Sequence, residues 1–148
     1  MKKDCWVCLR ITPELVLKMS LKIWEGDHQI ARVIGKEASK LIQKSYGLNK
    51  CFCSSRSSKT ILSGLFYLLG IRRDSWKSQE ELARKIEINP ISIKESIQRW
   101  IETFPQLFPD FDFEERKTRA IKWGFSTKKI TTTRKVLRYK GQHFPYGM

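Results

Sequence analysis

The stretch from Ser78 to Trp100, SQEELARKIEINPISIKESIQRW, admits few arrangements other than two short helices joined by a tight turn. Leu82, Ala83 and Ile86 recur at three-to-four-residue spacing and form the apolar stripe of the first helix. Asn89 offers a side-chain oxygen that caps free backbone N–H groups, and Pro90 has the fixed φ suited to a first helical position. Ile93 and Ile97 make the inward face of the second helix, which leaves Ile91, Lys94, Glu95 and Gln98 facing outward. This is the anatomy of a helix-turn-helix, whose second helix presents its N-terminal side chains to base edges in the major groove. Glu87 stands where a turn glycine is common, so a slightly loose turn or an alternative helix C-cap is expected. The same pattern also serves as a plain packing corner in all-α proteins, and charge has to separate the two readings.

The charge favours a polyanion. Lys and Arg number 29 against 15 Asp and Glu, a formal net charge of +14. Such an excess attracts nucleic acid and gives salt-dependent affinity through counterion release. Membrane surfaces are also anionic, but no long apolar run or amphipathic anchor accompanies the charge. Double-stranded DNA is therefore the expected partner, with neither a membrane nor a small-molecule substrate. A nuclease would need clustered carboxylates to hold metal. The one dense acidic cluster is Asp110, Asp112, Glu114 and Glu115. Neither His28 nor His143 has a context that marks it as a base, so no catalytic residue is expected.

A chain of 148 residues is most simply one domain with tails, and its 41 % apolar content argues against wholesale disorder. No stretch approaches the roughly 20 consecutive apolar residues that span a bilayer. The opening MKKDCWVCLR lacks the apolar core of a signal peptide, so a soluble intracellular protein is expected. Cys5 and Cys8 form a C-x-x-C, and Cys51 and Cys53 a C-x-C, separated by 42 residues. Two close thiolate pairs suit zinc, although that gap far exceeds the spacing of a compact ribbon. Zinc, reduced thiols and disulfides all stay open, and no other cofactor is expected.

Thr12, Pro13 and Glu14 read as a helix start. The apolar Leu15, Leu17, Met19, Leu21 and Trp24 that follow are only partly periodic, and this helix is expected to end near Glu25 and Gly26. Asp27 caps a second helix with Ile30, Val33, Ile34, Ala38, Leu41, Ile42 and Tyr46 on its apolar face, leaving Lys36, Lys40 and Lys44 in water, up to Gly47. A polar loop, residues 48–58, carries Arg56. Lys59 to Leu69 is apolar nearly all round, as in a buried central helix. Ser63 and Gly64 weaken its propensity and point to close approach by a neighbouring helix, and Gly70 is expected to end it. Beyond Phe113 the chain holds 10 Lys and Arg against Glu114 and Glu115, and so supplies +8 of the +14. Lys128, Lys129, Arg134 and Lys135 lie there. Ile130 to Tyr139 is rich in β-branched residues and suits a strand or hairpin. A disordered basic arm and an arm that orders on a phosphate backbone are both open. The expected organisation is an N-terminal extension (1–26), a helical core (27–113, with the helix-turn-helix at 78–101) and a basic arm (114–148).

From about Asp27 to Phe113 the chain resembles the second cyclin-like repeat of transcription initiation factor IIB and of its archaeal counterpart, transcription factor B. SSRSSKTILSGLFYLLG is similar to the family's G-R-S-P loop and small-residue-rich buried helix. SQEELARKIEINPISIKESIQRWIETFP is similar to its helix-turn-helix, and QLFPDFDF to the D-L-F-P-x-D-F segment that follows. The resemblance implies an all-α, cyclin-like five-helix bundle ending in the helix-turn-helix. It also implies binding beside a TATA box, with TATA-binding protein as a partner. Ile91 matches the family's apolar base contact and Lys94 its basic one, with Asn89, Ser92, Glu95 and Gln98 around them. Arg56 matches the arginine of the G-R-S-P loop, a phosphate clamp.

Departures from the family qualify that reading. Only one repeat is visible, without a zinc ribbon of the usual spacing, which suggests a regulator rather than a complete initiation factor. Its setting would be an archaeal cell, with a cellular paralogue and a viral or mobile-element gene both open. Leu62, Leu65 and Phe66 replace the family's alanines, and Lys94 lacks the rigid fork of the arginine frequent there. The alternative function is a cyclin-like protein-interaction module that docks a transcription-machinery partner through Arg72, Arg73 and neighbouring helices.

Overall fold

The computed structural model describes residues 11–48, 57–117, 133–140 and 145–146. Within it the chain divides into two compact units, Met1–Leu107 and Phe108–Met148. All five helices of the described residues lie in the first unit: α1 (Pro13–Ile23), α2 (His28–Leu48), α3 (Ser58–Arg72), α4 (Gln79–Ile86) and α5 (Pro90–Thr103). The second holds a small antiparallel sheet of β1 (Phe111–Lys117), β2 (Thr133–Tyr139) and β3 (Pro145–Tyr146), in that spatial order. The architecture is thus mostly helical with a small sheet.

Helix α1 starts as expected, with Thr12 Oγ1 accepting a hydrogen bond from Leu15 N and Pro13 in its first turn. Its inner face is nevertheless Val16, Met19, Ser20 and Ile23. These positions follow the i, i+3, i+4, i+7 pattern, and they include a serine that hydrophobicity alone passes over. Leu17 instead points outward and is 38 % exposed. Ser20 is fully buried because its Oγ donates to Ala31 O of α2 at 2.5 Å, which satisfies the hydroxyl. Asp27 Oδ1 accepts from Ile30 N at the start of α2, the cap that its position predicts. The buried face of α2 is Ala31, Ile34, Gly35, Ala38, Leu41, Ile42 and Ser45, while Val33 is exposed. Small residues at this seam let α1 and α2 pack closely.

Helix α3 is the central element, buried without interruption from Ile61 to Ile71. It packs on α2, α4 and α5. Gly70 does not end it: the helix runs on to Arg72, and Gly70 lies inside. Its missing side chain is needed for packing, since an added Cβ would stand 3.2 Å from Ser75 O and 3.3 Å from Trp24 Cζ2. Trp24 Nε1 in turn donates to Ser75 O at 3.0 Å, so the same corner fixes the chain that leaves α3. That chain reverses at Asp74, whose φ is 55°.

Arg72 and Arg73 are not free docking groups. Arg72 Nη1 lies 3.3 Å from Glu37 Oε1 and Arg73 Nε 2.7 Å from Glu37 Oε2. Arg72 also donates from Nη2 to Leu107 O at 3.2 Å. One carboxylate of α2 thereby gathers the end of α3.

In the second unit β1 and β2 pair in register from Phe111↔Tyr139 to Lys117↔Thr133. Residues 133–139 therefore form a strand, one of the arrangements expected for Ile130 to Tyr139, and they are not a disordered arm. Phe111 packs edge-on against Tyr139 at 4.9 Å and against Phe108 at 6.2 Å. The directly opposed pair Asp112 and Arg138 is bidentate, at 2.9 and 2.7 Å. The Arg138 guanidinium holds the Asp112 carboxyl below its usual range. Strand β1 begins inside the LFPDFDF block and continues past Phe113, so the sequence-based boundary at 113 falls within a strand.

Candidate nucleic-acid interface

Helix α4 is made by its ends. Ser78 Oγ accepts from Glu81 N at 3.1 Å, Glu80 and Glu81 occupy the first turn, and Arg84 and Lys85 the last. Leu82, Ala83 and Ile86 are all buried, as their spacing predicts. Lys85 reaches Glu25 at 3.0 Å and ties α4 to the turn between α1 and α2.

The turn is tight, not loose. Glu87 itself takes the left-handed conformation, φ 58° and ψ 53°, and its N–H returns to Ala83 O. Ile88 N also donates to Ala83 O at 3.0 Å. A glutamate thus does the conformational task of the glycine common at this point. Asn89 Oδ1 then accepts from Ile91 N at 2.9 Å, Pro90 occupies the first turn, and α5 begins.

Helix α5 is clamped to α3 at one close crossing. A Cβ built on Gly64 would overlap Ser96 Oγ and stand 2.7 Å from both Ile97 N and Ser96 C. Around that contact Ser96 Oγ and Trp100 Nε1 both donate to Ile61 O, at 3.2 and 2.8 Å. The carbonyl is available to them although it belongs to a helix, since a carbonyl oxygen has two lone pairs. Ile93, Ile97 and Trp100 are fully buried beside it. The small residue that costs α3 helix propensity is the one that lets α5 approach, as the sequence suggests.

This clamp decides what α5 shows to solvent. Ile91 is 64 % exposed, and Lys94 and Glu95 are exposed beside it on the N-terminal half. Ser92 and Gln98 are half-buried at the margin of that face. Asn89 is exposed, but its Oδ1 is committed to the cap. Five expected contact residues, Asn89, Ile91, Ser92, Lys94 and Glu95, therefore fall at one helix N-terminus, and Gln98 lies further along α5. Chemically the face offers a branched apolar group, a donor cation and an acceptor carboxylate. These suit a thymine methyl, guanine O6/N7 and cytosine N4 respectively.

The electrostatics of the face are mixed. Lys94 and Glu95 offset each other, and the shallow depression at the start of α4 is lined by Ser78, Glu80, Glu81 and Arg84. Among the described helices the largest positive excess is on α2, which carries Arg32, Lys36, Lys40 and Lys44 against Glu37. Lys135 is exposed on β2, and Arg134 lies in the same strand. Arg56, Lys128, Lys129 and all four cysteines, Cys5, Cys8, Cys51 and Cys53, lie outside the described residues. Among the described residues no cluster of His, Cys, Asp or Glu is arranged to hold a metal ion. No described helix is long and apolar enough to cross a membrane. Comparison with models of protein families, with curated proteins and with solved structures gives no match to this chain.

Proposed function

We propose that the chain is a DNA-binding transcription regulator that reads duplex DNA with the N-terminal half of α5. The observation that carries the reading is the joint exposure of Ile91, Lys94 and Glu95 on a helix whose opposite face is clamped to α3 through Gly64. A side chain as apolar as Ile91, left largely in water at the start of a second helix, is placed as a thymine-methyl contact would be. The net charge of +14 supplies the long-range attraction that such a neutral reading face lacks. By its resemblance to the second cyclin-like repeat of initiation factor IIB, the protein would bind beside a TATA box in contact with TATA-binding protein. It would work inside an archaeal cell, as a binding protein and not an enzyme.

The test is a Lys94→Ala variant measured on duplexes of differing sequence. The preference for one duplex over another should shrink by about 1–3 kcal/mol, the worth of a good base contact. An equal loss on every duplex would refute a base-reading role for Lys94 and leave it on phosphate.

A further inference from the structure

The register of α1 leaves a groove that the DNA reading does not use. Leu17 is turned outward by the burial of Val16, Met19, Ser20 and Ile23, and it lies across from Gly35 of α2, whose missing side chain deepens the contact. The resulting groove, about 380 Å³, is lined by an apolar floor of Pro13, Leu17 and Gly35, by the polar Ser39 and Gln43, and by the cations Arg32, Lys36 and Lys40 of α2. Those three cations, exposed and spaced four residues apart, form a ridge that Lys44 extends. From Arg32 to Lys40 the ridge spans about 12 Å at 1.5 Å per residue. Among the described residues the ion pairs join other side chains, and none involves any of these four cations. Like charges at i, i+4 work against a helix, so this arrangement weakens α2 and finds no compensating ion pair among the described residues.

We infer that the groove between α1 and α2 is a docking site for an acidic, amphipathic peptide segment of another protein. Its carboxylates would lie along Arg32, Lys36 and Lys40, and an apolar anchor would enter over Leu17 and Gly35. Charge complementarity sets the sign of the occupant, and the apolar floor sets its class. A phosphate backbone satisfies the cations but has no apolar group for the floor, whereas an amphipathic helix presents acids and anchors together at helical spacing. The surface is also carried by other elements than the DNA-reading face: α3 packs against both α2 and α5, which have no extended contact with each other. Peptide docking in this groove is therefore independent of whether α5 reads DNA.

The experiment is fluorescence anisotropy of the full chain with a labelled helical peptide bearing Glu at i, i+4 and i+8 and Leu or Phe on the adjoining face. The expected result is saturable binding that weakens at least tenfold in Lys36→Glu. It should also weaken at least tenfold when the peptide's apolar residues become Ser. Lys59→Glu, the same charge change on the exposed start of α3, should leave binding unchanged. Ser39→Trp, which fills the groove without altering charge, should block it. Equal weakening by Lys36→Glu and Lys59→Glu, or full retention by the Ser-substituted peptide, would overturn the inference in favour of a non-specific field. Displacement of the peptide by duplex DNA, with DNA affinity also lost in Lys36→Glu, would overturn it in favour of a nucleic-acid contact. DNA binding that is absent altogether leaves the peptide result standing by itself.

Discussion

Substituting Gly64 by Ala would test whether the presentation of α5 depends on one close crossing. The added Cβ would stand 2.7 Å from Ser96 C and Ile97 N, where 3.4 Å is ordinary contact. These are backbone atoms and cannot swing aside, so α5 must retreat by about 0.7 Å, enough to forfeit a quarter to a half of the dispersion well across the seam. The same movement stretches the hydrogen bonds from Ser96 and Trp100 to Ile61 O, now 3.2 and 2.8 Å. Overpacking of this kind costs about 1–3 kcal/mol, and each weakened hydrogen bond about 1 kcal/mol. Alanine returns about 1 kcal/mol of helix propensity. The net expectation is a loss of about 2–4 kcal/mol, a fall in Tm on the order of 10 °C. Gly35→Ala is the internal control, because its Cβ would meet only the flexible Leu17 Cδ1 at 3.4 Å and Leu17 and Ser20 atoms at 3.6 Å. That variant should be neutral or stabilised by up to about 1 kcal/mol. Urea unfolding followed by circular dichroism reads both. A Gly64→Ala protein as stable as its parent would refute the clamp.

Other consequences can be checked in the same way. Glu87→Gly should stabilise the protein by about 0.5–1 kcal/mol, since relief of the left-handed strain outweighs glycine's extra unfolded-state entropy. A loss of stability in thermal melts would mean that the Glu87 side chain contributes something beyond the turn. Glu37→Ala removes the shared partner of Arg72 and Arg73 and should cost about 1–2 kcal/mol, whereas Glu25→Ala, with a carboxylate 63 % exposed, should cost under about 0.5 kcal/mol. Equal effects in denaturant titrations would contradict the difference. Because Arg138 lowers the Asp112 pKa in the folded state, the pair's contribution is present above the ordinary carboxylate value of 3.8 and lost as pH falls through the lower folded value. Asp112→Asn should flatten that acid limb in melts of the full chain from pH 5 to 2, and an unchanged limb would exclude the pair as its source.

Much of the helical unit is legible in the amino-acid sequence, for reasons that differ by element. Helix α3 is legible because it is apolar all round, and α4 and α5 because Ser78, Asn89 and Pro90 mark their starts. The outward set on α5 follows from Ile93 and Ile97 alone. Helix α1 misleads because three leucines compete for its stripe, and the winning register buries Ser20, whose hydroxyl finds a carbonyl only after α2 is in place. Gly70 reads as a terminator because helix ends favour glycine, yet here it serves a close approach that depends on Trp24, far away in sequence. Glu87 is legible as an anomaly but not as a left-handed residue. Strand β1 escapes notice because FDFEERK has charge where a buried strand would not, and residues 118–132 separate it from its partner β2. For the site, type and spacing of residues suggest the face, while its exposure depends on Gly64 meeting Ser96.

Whether α5 reads duplex DNA can be measured on the intact protein. The most direct test is fluorescence anisotropy of the full chain on labelled promoter duplexes, with and without TATA-binding protein, across a salt series. If α5 reads DNA, binding is tighter to a duplex with a TATA-flanking element, increases further with TATA-binding protein, and shows a log–log salt slope that reflects phosphate contacts. No binding at low salt, or binding indifferent to both sequence and TATA-binding protein, would contradict this reading.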